Sequence, residues 1–166
     1  SHLLDPETGD YNWSYIRRYL KGREVVAVNF VQREQGIFLP AGNPKGIASL
    51  ADLARGDVAI VNRQSGAGTR VLLDHLLAEA GISPGEVNGY GNVETTHVAV
   101  AMAVAGGRAD AGLGIFAAAS LLGLEFVSLG WERFDFIVPA EYWETQAIQR
   151  LIGVLREPDF AESVEA

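Results

Sequence analysis

The chain has 166 residues, 48% hydrophobic and 20% charged, with 13 basic and 21 acidic side chains. That apolar content suffices for a core, so intrinsic disorder is excluded. The net charge of −8 argues against direct nucleic-acid binding by this segment, because phosphates call for a basic field. The longest clean apolar run, Val98 to Ala105, falls far short of the ~20 residues of a membrane-spanning helix. With no cysteine, the sequence has no disulfides, thiol chemistry or cysteine-bound zinc. No initiator Met and no signal-peptide pattern precede Leu3. A fragment or processed form is expected, with a cytoplasmic setting favoured.

Asn12 fits an N-cap for a helix over Trp13 to Lys21, which Gly22 stops. Glu24 to Val31 and Gln35 to Ala41 read as two extended runs. Ser49 and Asp52 form a capping box for a short helix over Leu50 to Arg55. Asp57 to Asn62 is a buried strand, Arg63 to Gly68 a polar turn, and Thr69 to Ala80 an amphipathic helix. Thr95 or Thr96 caps a helix running to Ala105 that is apolar nearly all round and so predicted to be buried. Asp110 to Ile115 is a strand followed by an Ala-rich helical turn. Leu124 to Leu129 and Phe134 to Val138 are two further strands. Glu141 to Arg156 reads as one long helix, broken by Pro158 before a final short one. Strands alternating with helices imply an α/β sheet with parallel strands. Direction changes near Gln35–Pro44 and Ser128–Phe136 suit crossings between two lobes. Trp13, Trp131 and Trp143 read as core or interface residues.

Asn62-Arg63-Gln64-Ser65-Gly66-Ala67-Gly68-Thr69-Arg70 carries the most chemistry. It leaves a strand and opens a helix, where the first N–H groups lack partners and the dipole is positive. Glycines at 66 and 68 let a ligand approach the backbone, Ser65 and Thr69 add hydroxyls, and Arg63 and Arg70 add charge. The candidate anion site is therefore Arg63, Ser65, Gly66, Ala67, Gly68, Thr69 and Arg70. The same residues also fit a plain strand-to-helix turn with Arg70 paired to Asp74 at i, i+4. Thr95, Thr96 and His97 open a second helix and join the candidate set, although Thr96 or Thr95 as an ordinary cap and His97 as a structural residue fit equally. This is neither a Walker loop nor a dinucleotide fingerprint. The sequence has no HExxH or GxSxG and no acidic cluster with metal-ligand spacing, so no catalytic residue or metal site is assigned. An enzyme gripping phosphate or carboxylate at the turn would need His97 as its base.

The 62–70 segment resembles the periplasmic-binding-protein-like domain related to molybdate-binding proteins, which occurs alone or fused to helix-turn-helix regulators or molybdopterin-biosynthesis proteins. Arg33-Glu34-Gln35-Gly36, Gly42-Asn43-Pro44-Lys45-Gly46, Gly107 to Gly114 and Glu132-Arg133-Phe134-Asp135 resemble it in register, and the likeness covers nearly the whole chain. The resemblance implies an α/β, type 2 periplasmic-binding-protein-like fold over residues 1–166. Residues 43–128 would form a complete second lobe, and 1–42 with 129–166 a partial first lobe and the crossings. It implies non-catalytic binding of molybdate, tungstate or a similar oxyanion in an interlobe cleft, by a regulator's sensor domain or a solute receptor, with no further cofactor. Ile115 stands where the molybdate binders usually have Tyr. The alternative is a ligand-free interaction or oligomerisation module. Trp143, Ile148, Leu151, Ile152 and Leu155 on the C-terminal helix call for cover, so a homodimer is expected.

Overall fold

A computed structural model describes residues 2–5 and 7–165. In chain order it contains α1 (Trp13–Tyr19), β1 (Val25–Leu39), β2 (Ile60–Arg63), α2 (Gly68–Glu79), β3 (Val93–Glu94) and α3 (His97–Ala105). There follow β4 (Ala111–Ile115), α4 (Phe116–Leu121), β5 (Glu125–Pro139), α5 (Ala140–Trp143), α6 (Gln146–Leu155) and α7 (Pro158–Glu165). The strand order is β3-β2-β4-β1-β5. β2 runs parallel to β3 and β4, and β1 runs antiparallel to β4 with Gln35 opposite Ile115 and Phe38 opposite Gly112. The fold is thus mixed α/β.

Two compact units share the chain. One consists mainly of Arg33–Glu132, and the other of Asp10–Gln32 with the residues from Arg133 onward. The chain passes between them inside β1 and inside β5.

The Arg33–Glu132 unit is a sheet covered on both faces, and strand alternation decides which side chain goes where. Ile37, Leu39, Ile60 and Leu113 pack with Leu73 and Leu77 of α2. Phe38 and Val61 point the other way, onto Val100 and Val104 of α3 and Ala118 and Ala119 of α4. Gly112 admits α3 closely: a Cβ there would run into Val100 and Val61. Because α2, α3 and α4 each follow a strand, their N-termini emerge at the carboxyl edge of β2, β3 and β4, where open α/β sheets bind ligands.

Several expectations are corrected. Glu24–Val31 and Gln35–Ala41 form one continuous strand, as do Leu124–Leu129 and Phe134–Val138. Arg33 between the first pair and Glu132 between the second form an ion pair with each other. Asn12 precedes α1 at φ 70° but does not cap it with its side chain. Its Oδ1 accepts from the Leu3 N–H and its Nδ2 donates to Asp135. The predicted long C-terminal helix is split at Thr145, whose N–H and hydroxyl both donate to the Tyr142 carbonyl while Gln149 caps that of Trp143. Ser49 and Asp52 do form their capping box, over a single 3-10 turn, Leu50–Ala54.

α3 is buried on one side only. Val100, Ala101, Ala103 and Val104 face the sheet, whereas Val98 and Met102 are exposed. Trp131 is 62% exposed and no core residue, while Trp13 and Trp143 are half-buried. Ile152 of α6 is buried and Ile148 and Leu155 are half-covered, which removes much of the apolar surface that called for a partner there.

Candidate functional site

β2 ends at Arg63, and the chain turns through Gln64–Ala67 into α2. The turn is closed by its own backbone, with Ala67 N–H bonded to the Gln64 carbonyl at 3.2 Å and Arg70 and Val71 N–H to that of Ala67. Gly66 takes φ 84°, a region glycine enters without a Cβ penalty. Among the described residues, the N–H groups of Ser65, Gly66, Gly68 and Thr69 have no protein acceptor. Ser65 and Gly66 are exposed, whereas Gly68 and Thr69 are buried. Buried N–H groups left open at a helix start are costly unless something fills them.

The predicted site residues divide three ways. Ser65, Gly66 and Gly68 leave their N–H groups open, whereas that of Ala67 closes the turn on Gln64. Thr69 is an anchor: its hydroxyl lies 3.1 Å from Gln35 Nε2 and 3.2 Å from Gln35 Oε1, both buried on β1. Arg70 is held by partners within the protein at the base of the turn. Its Nε lies 2.9 Å from Asp74 Oδ1, and its guanidinium stacks 4.0 Å from the Tyr90 ring centre, the i, i+4 pairing that the sequence allowed. Tyr90 also donates to Asp74. Burial opposes the Arg70 charge, but bonding to Tyr90 and Asp74 holds the guanidinium above its usual range.

Arg63 links the two helix starts. It is 9% exposed, its Nη2 donates to the Thr95 carbonyl at 2.9 Å, and its own carbonyl accepts from Arg70. Thr96 is an ordinary cap, its Oγ1 accepting from Ala99 N–H at 3.0 Å. Thr95 is exposed, and His97 is half-buried beside Gly114, where a Cβ would press on its Nδ1.

Sequence reasoning missed what lies beneath. Glu132 on β5 is 3% exposed and forms an ion pair with Arg33 on β1. Burial pushes the Glu132 carboxyl above its usual range; the Arg33 charge, a Gln35 hydrogen bond and the more remote Arg63 charge oppose this. Burial, then the Arg33 charge, pull Arg63 the other way, below the usual guanidinium range. The available signal was two charged residues set in strands otherwise built for burial. Among the described residues no cluster of His, Cys, Asp and Glu could hold a metal ion. The arrangement suits holding an anion, with open N–H groups over a buried guanidinium pair and its single carboxylate.

Residues 1–156 match the model of a family described as the PBP superfamily domain. The uncharacterized protein YvgK of Bacillus subtilis (strain 168) is 44% identical over 159 residues, covering 96% of this chain and 51% of that protein. The chain thus spans about half the length of this curated relative. The structure of PEB3 with bound L-phospholactate superposes with a TM-score of 0.61 at 20% identity, over 85% of this chain and 68% of that one. The ancestral amino acid-binding protein AncCDT-1, a precursor of cyclohexadienyl dehydratase, gives 0.60 at 16% identity, over 93% and 63%.

Proposed function

This chain belongs to the PBP superfamily domain family, and from that premise we propose that it binds a small oxyanion without transforming it. The anion rests on the Ser65–Gly68 turn, with molybdate, tungstate or a similar tetrahedral oxyanion as the ligand. The protein serves as the sensor part of a regulator or as a solute receptor. The observation that carries this reading is the set of N–H groups at the α2 start without a protein acceptor. The helix dipole and the buried Arg63 behind them add a favourable field. L-Phospholactate bound to PEB3, a protein of like fold, is itself a phosphate-bearing acid.

Titration calorimetry with molybdate, tungstate, sulfate and phosphate tests the proposal, with Ser65→Asp as the paired variant. Ser65 is exposed, so the new carboxylate leaves stability within about 0.5 kcal/mol. It repels an anion at the turn, and affinity is expected to fall about tenfold to a hundredfold, or ~1.4–2.7 kcal/mol. Unchanged affinity, or no heat with any of the four anions, sinks the proposal. Gly68 is less suitable as a target, because it is buried in the first turn of α2 and a Val there disturbs folding and binding together.

A second reading, an interaction or oligomerisation module, is favoured by Val98 and Met102 on α3 and by Phe116 and Leu121 on α4. All four are exposed, Met102 by 58%. Val98 and Met102 stand four residues apart on α3 and so share one face of that helix. On this reading the chain forms a homodimer. Light scattering at micromolar concentration is expected to show twice the chain mass, and Met102→Glu to return it to one. A monomer before any substitution removes this reading.

A further inference from the structure

Of the charges under the turn, the anion reading has used only Arg63, and Arg33 and Glu132 remain without a role. β1 contributes Arg33 and Gln35, β2 contributes Arg63, and β5 contributes Glu132. Gln35 reaches Thr69 in the first turn of α2, and Arg63 reaches the Thr95 carbonyl just before α3. Both helix starts of the candidate site are therefore bonded to this cluster. Two guanidiniums face one carboxylate, and Glu132 is the one acidic group that acts on Arg63. The charges that act on Glu132 are those of Arg33 and Arg63.

We propose that Glu132 sets the positive field beneath the Ser65–Thr69 turn, so that an anion arriving there is accompanied by a proton taken up on Glu132. Ionised, Glu132 cancels one of the two guanidinium charges. Protonated, it leaves both to act on the turn. An anion at the turn disfavours a second negative charge nearby and so favours the protonated form; by linkage, the proton favours the anion equally. The proton goes to a Glu132 carboxylate oxygen, comes from solvent, and involves no other bond. Burial already biases Glu132 toward the neutral form, so the exchange occurs above the ordinary carboxylate range. This inference rests on the anion reading of the turn, but its coupling can be observed without any ligand.

The test has two arms. In the ligand-free protein, NMR follows the Glu132 carboxyl carbon and the Gly66, Gly68 and Thr69 amides as pH is raised. The expected result is a shared midpoint, with Gln35→Leu reducing the Thr69 shift more than the Gly66 shift. Turn amides that ignore the Glu132 titration overturn the proposal, an outcome read on the unsubstituted chain alone. In the second arm, calorimetry with sulfate, whose charge is constant in this range, is run in two buffers of different ionisation enthalpy. Net proton uptake is expected, and Glu132→Gln abolishes it while tightening sulfate about tenfold at pH 7. Binding without proton uptake overturns the proposal. If neither sulfate nor molybdate, tungstate or phosphate binds while the amides still follow Glu132, the anion reading fails and the coupling of Glu132 to the turn stands.

Discussion

Gly89→Ala is expected to cost about 2–5 kcal/mol, a large fraction of the stability of a typical domain. Gly89 sits at φ 81°, where an L side chain costs about 1–2 kcal/mol. The added methyl is also driven into the Ile60 carbonyl oxygen, and that neighbour is backbone and cannot rotate away. Ile60 is itself fully buried, and its N–H bonds the Asn88 carbonyl at 2.9 Å, so the strand cannot retreat without opening the core. Gly91→Ala, two residues on, meets no atom within 4 Å and has ordinary φ, so it is the matched control and should be nearly neutral. Urea unfolding with an unchanged m-value measures both. If the two variants are equally stable, the close approach of the 89 turn to β2 is wrong.

Asp135→Asn is expected to be the second most damaging substitution, at about 2–4 kcal/mol near pH 7. Asp135 is 1% exposed in the Asp10–Gln32 and C-terminal unit. It accepts from Asn12 Nδ2 at 2.8 Å, Asn29 Nδ2 at 3.1 Å and Arg133 Nε at 2.8 Å. An amide in its place turns an N–H toward one of these donors and removes the Arg133 ion pair. Burial alone would raise the Asp135 carboxyl, but bonds from Arg133, Asn12 and Asn29 hold it below the usual value of 3.8. The unfolded chain therefore takes up this proton first as pH falls. The stability Asp135 contributes is fully present above about 3.8 and is lost as pH drops through its folded value. The difference between wild type and Asp135→Asn should be largest near pH 7 and shrink as pH falls from 3.8 through the folded value. A constant difference at all pH values would show that the charge plays no part.

How much of this was legible beforehand depends on the range of the interaction. The 62–70 segment read as a strand leading into a helix, and Thr95 or Thr96 and the Ser49–Asp52 box read as caps; the structure has the turn and the box and makes Thr96 the cap. Each is decided by bonds within about one turn of chain, which residue type and spacing specify. Arg70 had two readings of comparable weight from sequence, and its pairing with Asp74 was decided by Tyr90, which lies beyond α2 and supplies both a ring face and a hydroxyl. From sequence both long strands came out as halves; in the fold Arg33 and Glu132, which lie between those halves, are each other's partner.

The sequence by itself determined the α/β alternation, the strand-to-helix turn between β2 and α2, and the absence of thiol chemistry. These follow from local pattern and composition. Only the tertiary structure decided that Thr69 is an anchor while the turn's N–H groups stay open, that Arg63 joins two helix starts, and that Glu132 lies buried beside them. It also decided that Asn12, 123 positions from Asp135, bonds a carboxylate instead of capping a helix. In each case the deciding partner is distant in sequence, and a buried charge or amide goes wherever the folded chain supplies its hydrogen bonds.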